Sequence, residues 1–192
     1  MERRGKTFII SGPSGVGKST VLKALFEGRD DLYFSVSATT RTPRDGEING
    51  VHYHFIEPDE FMQWINDDAF LEYAQYVGNF YGTPKKFVDA AMEEGKDVIL
   101  DIEVQGALQV KERRPDSVRV FILPPDMETL EHRLRKRGTD DDETIKKRVQ
   151  RAAEEMQYIN EYDYGVVNGE LEDAVDDLEA IIRAEKLRIN KK

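Results

Sequence analysis

The chain has 192 residues, 39% of them hydrophobic, carries a formal net charge of −10 and contains no cysteine. That length and apolar content fit one substantial core, so a single domain with small inserted subdomains is expected. The acidity argues against binding nucleic acid or an anionic membrane, since both need a broad positive surface, and the missing cysteines exclude disulfides, thiolate metal sites and a cysteine nucleophile. No apolar stretch approaches a membrane span. The basic segment Met1-Glu2-Arg3-Arg4-Gly5-Lys6 leads into a short strand rather than a secretory apolar region, and a cytoplasmic protein is expected.

In chain order the first element is the apolar run Phe8-Ile9-Ile10, which reads as a buried strand. The octapeptide Gly12-Pro13-Ser14-Gly15-Val16-Gly17-Lys18-Ser19 follows it, with the G-x-x-x-x-G-K-[ST] spacing of a phosphate-binding loop. Its glycines let the backbone wrap closely enough to turn N–H groups toward a polyphosphate. The helix that starts at Ser19 and Thr20 presents its partly positive N-terminus to the same anion. Lys18 then reaches the terminal phosphates, and the Ser19 hydroxyl suits Mg²⁺, which takes oxygen ligands. A glycine-rich turn that matches by chance is the alternative; the strand directly before the loop argues against it.

Further apolar, β-branched runs recur at 98–102, 118–123 and 164–167, separated mostly by segments of helical periodicity. That alternation predicts an α/β fold, with a parallel sheet covered by helices. Thr83-Pro84 predicts an N-cap with proline at the first helical position, in a helix that Gly95 ends. Other helices are predicted from Gln105 to Arg113, from the cap Asp126 to Gly138, from about Asp142 to Tyr158, and over 171–189. Two stretches break the rhythm. Residues 35–83 hold short alternating segments and one helix near 59–67, and read as an inserted, mostly β subdomain. Residues 129–157 form a charged, arginine-rich helical pair that suits a mobile cover. The remainder, 1–34, 84–128 and 158–192, is the expected core.

Within the β insertion, Arg41 and Arg44 flank Thr42-Pro43 in the run Ser37 to Glu47. Their forked donors match a phosphate dianion better than lysine would, and the Tyr53 and Tyr81 phenols add donors. A solvated turn with surface arginines is the other reading of that loop. Asp101 and Glu103 end the apolar strand Val98-Ile99-Leu100, where carboxylates are costly unless paired or near a cation, and the position suits an active site at the end of a parallel strand. His52 and His54 fall on one side of a strand. Without a third ligand nearby they read as solvent-facing residues rather than a metal pair. Trp64, Phe61 and Ile65 are expected to pack the insertion's helix.

The phosphate loop, Ser37 through Gly50, Glu72 through Thr83 and Asp101-Ile102-Glu103-Val104-Gln105-Gly106 together resemble guanylate kinase, and the match runs essentially end to end. The resemblance implies a P-loop three-layer fold with a core, an NMP-binding subdomain at 35–83 and a helical lid at 129–157. It also implies Mg²⁺-dependent transfer of the γ-phosphoryl group of ATP to GMP, and to dGMP, giving ADP and GDP. By the same resemblance Ser37 and Glu72 read guanine, Arg41, Arg44, Tyr53 and Tyr81 hold the GMP phosphate, and Glu47 and Thr83 belong to the matching substrate segments. Asp101 is implied to orient the phosphate-binding arginines and the guanine contacts. Glu103 is implied to lie near the metal or Lys18, although the family pattern carries aspartate there. Arg133 and Arg137, four residues apart on one helical face, and Arg148 on the next helix resemble the lid arginines that close on ATP and the moving phosphoryl group. Asn168-Gly169, just after the last strand, is a candidate to approach the adenine end of ATP. The chemistry agrees: a carboxylate at Glu72 can accept the adjacent N1–H and N2–H of guanine, and Ser37 can donate to O6, whereas adenine would face Glu72 with an acceptor.

A regulatory GTPase would need an Asn-Lys-x-Asp base-reading element, which this sequence lacks. A non-catalytic binding module of the same family would be expected to have a degraded phosphate loop, whereas Lys18 and Ser19 are intact. Another small-molecule P-loop kinase is the strongest enzymatic rival, and it would require different surroundings at Ser37 and Glu72.

Overall fold

The computed structural model describes residues 4–136, 138 and 140–189. The strands are β1 (Thr7–Ser11), β2 (Leu32–Phe34), β3 (Ala38–Thr39), β4 (His54–Phe55), β5 (Phe70–Tyr76), β6 (Asn79–Pro84), β7 (Asp97–Asp101), β8 (Val118–Leu123) and β9 (Tyr164–Val167). The helices are α1 (Lys18–Leu25), α2 (Pro58–Asn66), α3 (Lys85–Glu93), α4 (Val104–Arg113), α5 (Met127–Lys136), α6 (Asp142–Met156) and α7 (Leu171–Leu187). A five-stranded sheet has the order β2-β7-β1-β8-β9, so the chain moves first to one side of β1 and later to the other. In an α/β sheet that reversal marks where ligands bind, at the carboxyl end of the first strand, and here the phosphate loop leaves that end of β1. Among the described residues no helix is long and apolar enough to cross a membrane.

The contacts divide the chain into two compact units, and the first comprises Met1–Phe8 with Asp31–Ser117. It contains the parallel pair β2 and β7, in register from Leu32↔Asp97 to Phe34↔Ile99, and a second sheet of order β4-β3-β6-β5. In that sheet β3 runs parallel to β4, and β6 runs antiparallel to both β3 and β5. Its own small core is aromatic: Ala38, Phe61 and Phe70 are fully buried, with Trp64, Ile65, Tyr73 and Phe80 packed around them. The Phe61 and Phe70 rings stack at 4.4 Å. Helix α2 is set by Pro58 in its first turn and by Asp59 and Glu60, whose charges suit the helix N-terminus. The expected aromatic packing of this helix is thus present.

Two features of this unit position the site. The register of β5 against β6 slips between Phe70 and Glu72, so that Phe70 pairs with Pro84 and Glu72 with Thr83. The slip breaks ordinary alternation, and Phe70, Leu71 and Glu72 are all buried in succession. Edge strand β5 is then fastened to α4 by Gln109, which accepts from the Tyr73 N–H (3.2 Å) and donates to the Tyr73 carbonyl (3.1 Å). The expected Thr83 cap is corrected here. Thr83 belongs to β6, Pro84 occupies the N-cap position of α3, and the Thr83 hydroxyl is bonded elsewhere.

The second unit comprises Ile9–Asp30 with Val118–Lys192. It holds the parallel pair β8 and β9, from Val120↔Tyr164 to Leu123↔Val167, and helix α1 packs on α7. Asp126 caps α5 by accepting the Thr129 N–H at 2.6 Å, and Asp141 caps α6 by accepting the Thr144 N–H at 2.7 Å. The arginine-rich pair α5 and α6 has a larger apolar commitment than its charge suggested: Leu130 and Leu134 are fully buried, and Leu134 lies against Gly15 of the phosphate loop. Arg135 and Lys147 make the surface ion pairs expected of such helices, with Glu131 and Glu143 respectively.

Because Phe61 fills the centre of a small aromatic core, Phe61→Ala should cost about 3–5 kcal/mol. Urea unfolding followed by fluorescence of Trp64 would show it as a lowered midpoint.

Candidate functional site

In the second unit the phosphate loop is shaped by two close approaches. A Cβ on Gly12 would stand 2.6 Å from the Ile122 carbonyl oxygen, so only glycine lets the loop leave β1 beside β8. Gly17 has φ 92°, the left-handed region that glycine tolerates, and immediately precedes α1. A loop that offers its N–H groups to an anion must also dispose of its carbonyls. The Val16 carbonyl accepts from Asn168 Nδ2 at 2.7 Å and from the Arg133 guanidinium at 3.3 Å. Arg133 also donates to the carbonyls of Asn168 (2.9 Å) and Gly169 (3.1 Å).

Beside this loop lies a cleft of about 340 Å³ lined by Gly15, Gly17, Thr20, Arg133, Lys136 and Asn168, among others. Its size suits a nucleoside portion, at the small end of ligand pockets. Asn168 borders this cleft, but its side chain is buried and committed to the loop backbone. Arg148 of α6 reaches the loop directly. Its guanidinium donates to Ser14 Oγ at 2.8 Å and pairs with Asp140. Arg137 lies outside the described residues. Lys18 opens α1, and Ser19 and Thr20 are exposed in its first turn. A solvent-facing hydroxyl beside a phosphate loop fits Mg²⁺, a hard cation that takes oxygen ligands and keeps several waters.

In the first unit, most of the proposed acceptor residues gather. Arg41 donates to Glu47 at 2.8 Å, and the second Glu47 oxygen accepts the Arg44 backbone N–H at 2.7 Å. The Arg41 guanidinium, then the Arg44 N–H, hold the Glu47 carboxyl down at about 2. Glu47 therefore serves the loop by holding its arginines in place. Arg41 also sits over the ring of Tyr53, 5.5 Å from its centroid, and Tyr53 meets Tyr81 edge-on at 6.0 Å. Burial raises the Tyr53 phenol above its ordinary value, the neighbouring Tyr81 adds to this, and Asp101 is close enough to contribute. Arg44 is exposed.

Glu72 is one of two buried carboxylates of this unit, with 7% of its surface accessible; the other, Asp97, accepts the Lys6 N–H at 2.8 Å. The Thr83 hydroxyl donates to its Oε1 at 2.6 Å. Burial pushes its pKa up, opposed by Thr83 and Arg113, while the exposed Glu103 adds a smaller upward push. Thr83 pairs with Glu72, and Ser37 directly precedes β3, where its carbonyl accepts the His54 N–H at 2.9 Å. Of the His52/His54 pair, His52 is exposed as expected, in a turn rather than a strand, whereas His54 is not. His52 Nδ1 accepts the Ile48 N–H, and the half-buried His54 stacks on Phe87 at 4.1 Å. Among the described residues no group of three His, Cys, Asp or Glu side chains is placed to hold a metal.

Sequence reasoning missed Gln109, whose clamp on Tyr73 no motif announces, and the structural use of Asn168. The only sequence signal for the latter was its place directly after a strand, in Asn168-Gly169. Arg113 was also missed; it donates to the Phe70 carbonyl and to Asp68 and acts electrostatically on Glu72.

A family model described as guanylate kinase matches residues 4–185. Curated guanylate kinases are similar over nearly the whole chain. The Clostridium perfringens protein is 52% identical, covering 99% of this chain and 88% of its own, and that of Latilactobacillus sakei is 53% identical, covering 98% and 94%. The crystal structure of guanylate kinase from Anaplasma phagocytophilum superposes with a TM-score of 0.75 at 34% identity, covering 97% of this chain and 89% of that one.

A buried carboxyl with a raised pKa lends stability that is fully present below the ordinary glutamate range and is lost as the pH rises through its elevated value. Glu72→Gln should therefore gain stability relative to the unsubstituted chain as the pH is raised from about 4 to about 7. Paired urea titrations across that range would read the change; a constant difference would contradict it.

Proposed function

The chain belongs to the guanylate kinase family, and on that premise we propose that it transfers the γ-phosphoryl group of ATP to GMP, giving ADP and GDP. The observation that carries the choice of acceptor is Glu72, a carboxylate buried beside the Thr83 hydroxyl. Guanine offers N1–H and N2–H side by side to such a carboxylate, and adenine offers an acceptor in their place. A site built on substrate hydrogen bonds rejects the wrong base strongly, because its own buried polar groups are then left unpaired. Residues 35–83 are proposed to hold GMP and residues 129–157 to close over ATP. dGMP is a second acceptor in this reading, since the base- and phosphate-reading side chains need no ribose 2′-hydroxyl.

The acceptor phosphate is anionic near neutral pH, so the reaction needs no general base. What it needs is alignment of donor and acceptor and neutralisation of charge on the moving group. Arg41, Arg44, Tyr53 and Tyr81 hold and orient the acceptor phosphate, with Glu47 and Asp101 positioning that set. Lys18 and the backbone N–H groups of the loop hold the donor phosphates, and Arg133, Arg137 and Arg148 are the lid cations proposed to act on them. The Ser19 hydroxyl would hold Mg²⁺, which would supply charge neutralisation on the donor phosphates. Exclusion of water by the lid protects ATP from hydrolysis. On this reading the protein acts in purine nucleotide metabolism, and a cytoplasmic location is proposed.

ADP formation measured with ATP and Mg²⁺ against GMP, AMP, CMP, UMP and no acceptor should be rapid with GMP alone. ATP binding without acceptor-dependent ADP would instead favour a binding module. Lys18→Ala should abolish most turnover while leaving the unfolding midpoint nearly unchanged; equal loss of both would refute its role. Glu72→Gln should impair GMP use by at least about tenfold, since the amide brings a donor where an acceptor is needed.

A further inference from the structure

We propose that Gly106 is a specificity-determining residue, kept without a side chain so that the Glu72 carboxylate can stand where guanine is read. The proposal rests on the reading that Glu72 accepts from the base. Gly106 lies in the first turn of α4 and is buried, with no positive φ to require glycine. Local preference would favour almost any other residue there, because glycine is a poor helix former and alanine the best. The reason for glycine is tertiary. A Cβ at this position would stand 2.9 Å from Glu72 Oε2 and 3.3 Å from both its Cδ and Cγ.

Three consecutive Glu72 atoms line that contact, so a rotation of the carboxylate alone does not relieve it. The whole side chain has to withdraw from α4. It is held on its other side by the Thr83 hydroxyl, 2.6 Å from Oε1, and is enclosed by the surrounding unit. Moving it stretches that bond and shifts the two acceptor oxygens away from the guanine N1–H and N2–H. The fold can absorb such a shift because what moves is a side chain rather than backbone. Base recognition cannot, since hydrogen bonds weaken steeply with distance and angle. Gly106 thus acts through Glu72, as a positioning residue for the base.

The test is a set of variants on the full chain: Gly106→Ala, Glu72→Gln, Glu72→Asp and the doubles with Gly106→Ala, assayed with GMP and with inosine monophosphate, which lacks the 2-amino group. Gly106→Ala should raise the KM for GMP about tenfold, the scale of one lost charge-assisted hydrogen bond, and narrow the preference for GMP over inosine monophosphate. The KM for ATP and the Tm should stay near those of the unsubstituted chain. In the Glu72→Gln background Gly106→Ala should add little, and Glu72→Asp, which shortens the side chain by one methylene, should cost less with Gly106→Ala than without it. Unchanged GMP kinetics in Gly106→Ala, with Glu72→Gln impaired, would overturn the proposal alone. So would full additivity with Glu72→Gln. Unimpaired Glu72→Gln would overturn the base-reading assignment itself. If Gly106→Ala does not fold, Gly106→Ala with Glu72→Asp should restore folding, and its failure would place the obstruction elsewhere.

Discussion

A backbone loop that binds an anion through its N–H groups can do so only if its carbonyl oxygens are bonded elsewhere. Here the Val16 carbonyl is taken by Asn168 Nδ2 and by Arg133, and Arg133 in turn gathers the carbonyls at Asn168 and Gly169. This places three parts of one unit under a common requirement: the loop after β1, the turn after β9, and α5. The buried Leu130 and Leu134 fix α5 by its apolar face, and Arg133, one residue before Leu134, projects to the carbonyl cluster. The electrostatic demands of the loop therefore explain why an exposed-looking arginine helix carries a core face.

The other unit meets a different constraint, a carboxylate removed from water. Desolvation of Glu72 opposes its charge, and the Thr83 hydroxyl and the Arg113 guanidinium only partly offset it. Such a group is poorly explained by stability and well explained by use. The register slip on β5 directs it inward, and the Gln109 clamp on Tyr73 holds the strand that carries it. Strain and desolvation that a fold would otherwise avoid concentrate where a ligand is to be recognised.

The arginines divide by their present partners. Arg41 is held by Glu47 and by the face of Tyr53, which restricts its rotamers and would reduce the side-chain entropy lost if it bound the proposed acceptor phosphate. Arg148 is held by Asp140 and Ser14 Oγ. Arg135, by contrast, is spent on Glu131 and Asp142 at the surface, where ion pairs contribute little. Each of the three has a carboxylate partner, and what separates them is the second contact: the Tyr53 ring for Arg41, the Ser14 hydroxyl of the loop for Arg148 and another surface carboxylate for Arg135.

By itself the sequence determined what depends on neighbours along the chain. The phosphate loop was legible because its glycines, Lys18 and Ser19 occur at fixed offsets after an apolar strand. The helix that starts at the Asp126 cap was legible because a cap acts locally. Long-range pairing decided the rest. Thr83-Pro84 looks like a helix start, yet Thr83 is a strand residue bonded to Glu72, because the antiparallel partner β5 outweighs local propensity. His54 reads as solvent-facing by alternation, yet it stacks on Phe87, which is 33 positions away and invisible to any period along the strand. The use of Asn168 under the loop and the closeness of Gly106 to Glu72 arise between segments far apart in sequence. Hydrogen bonding and close packing there depend on distances that only the folded chain defines.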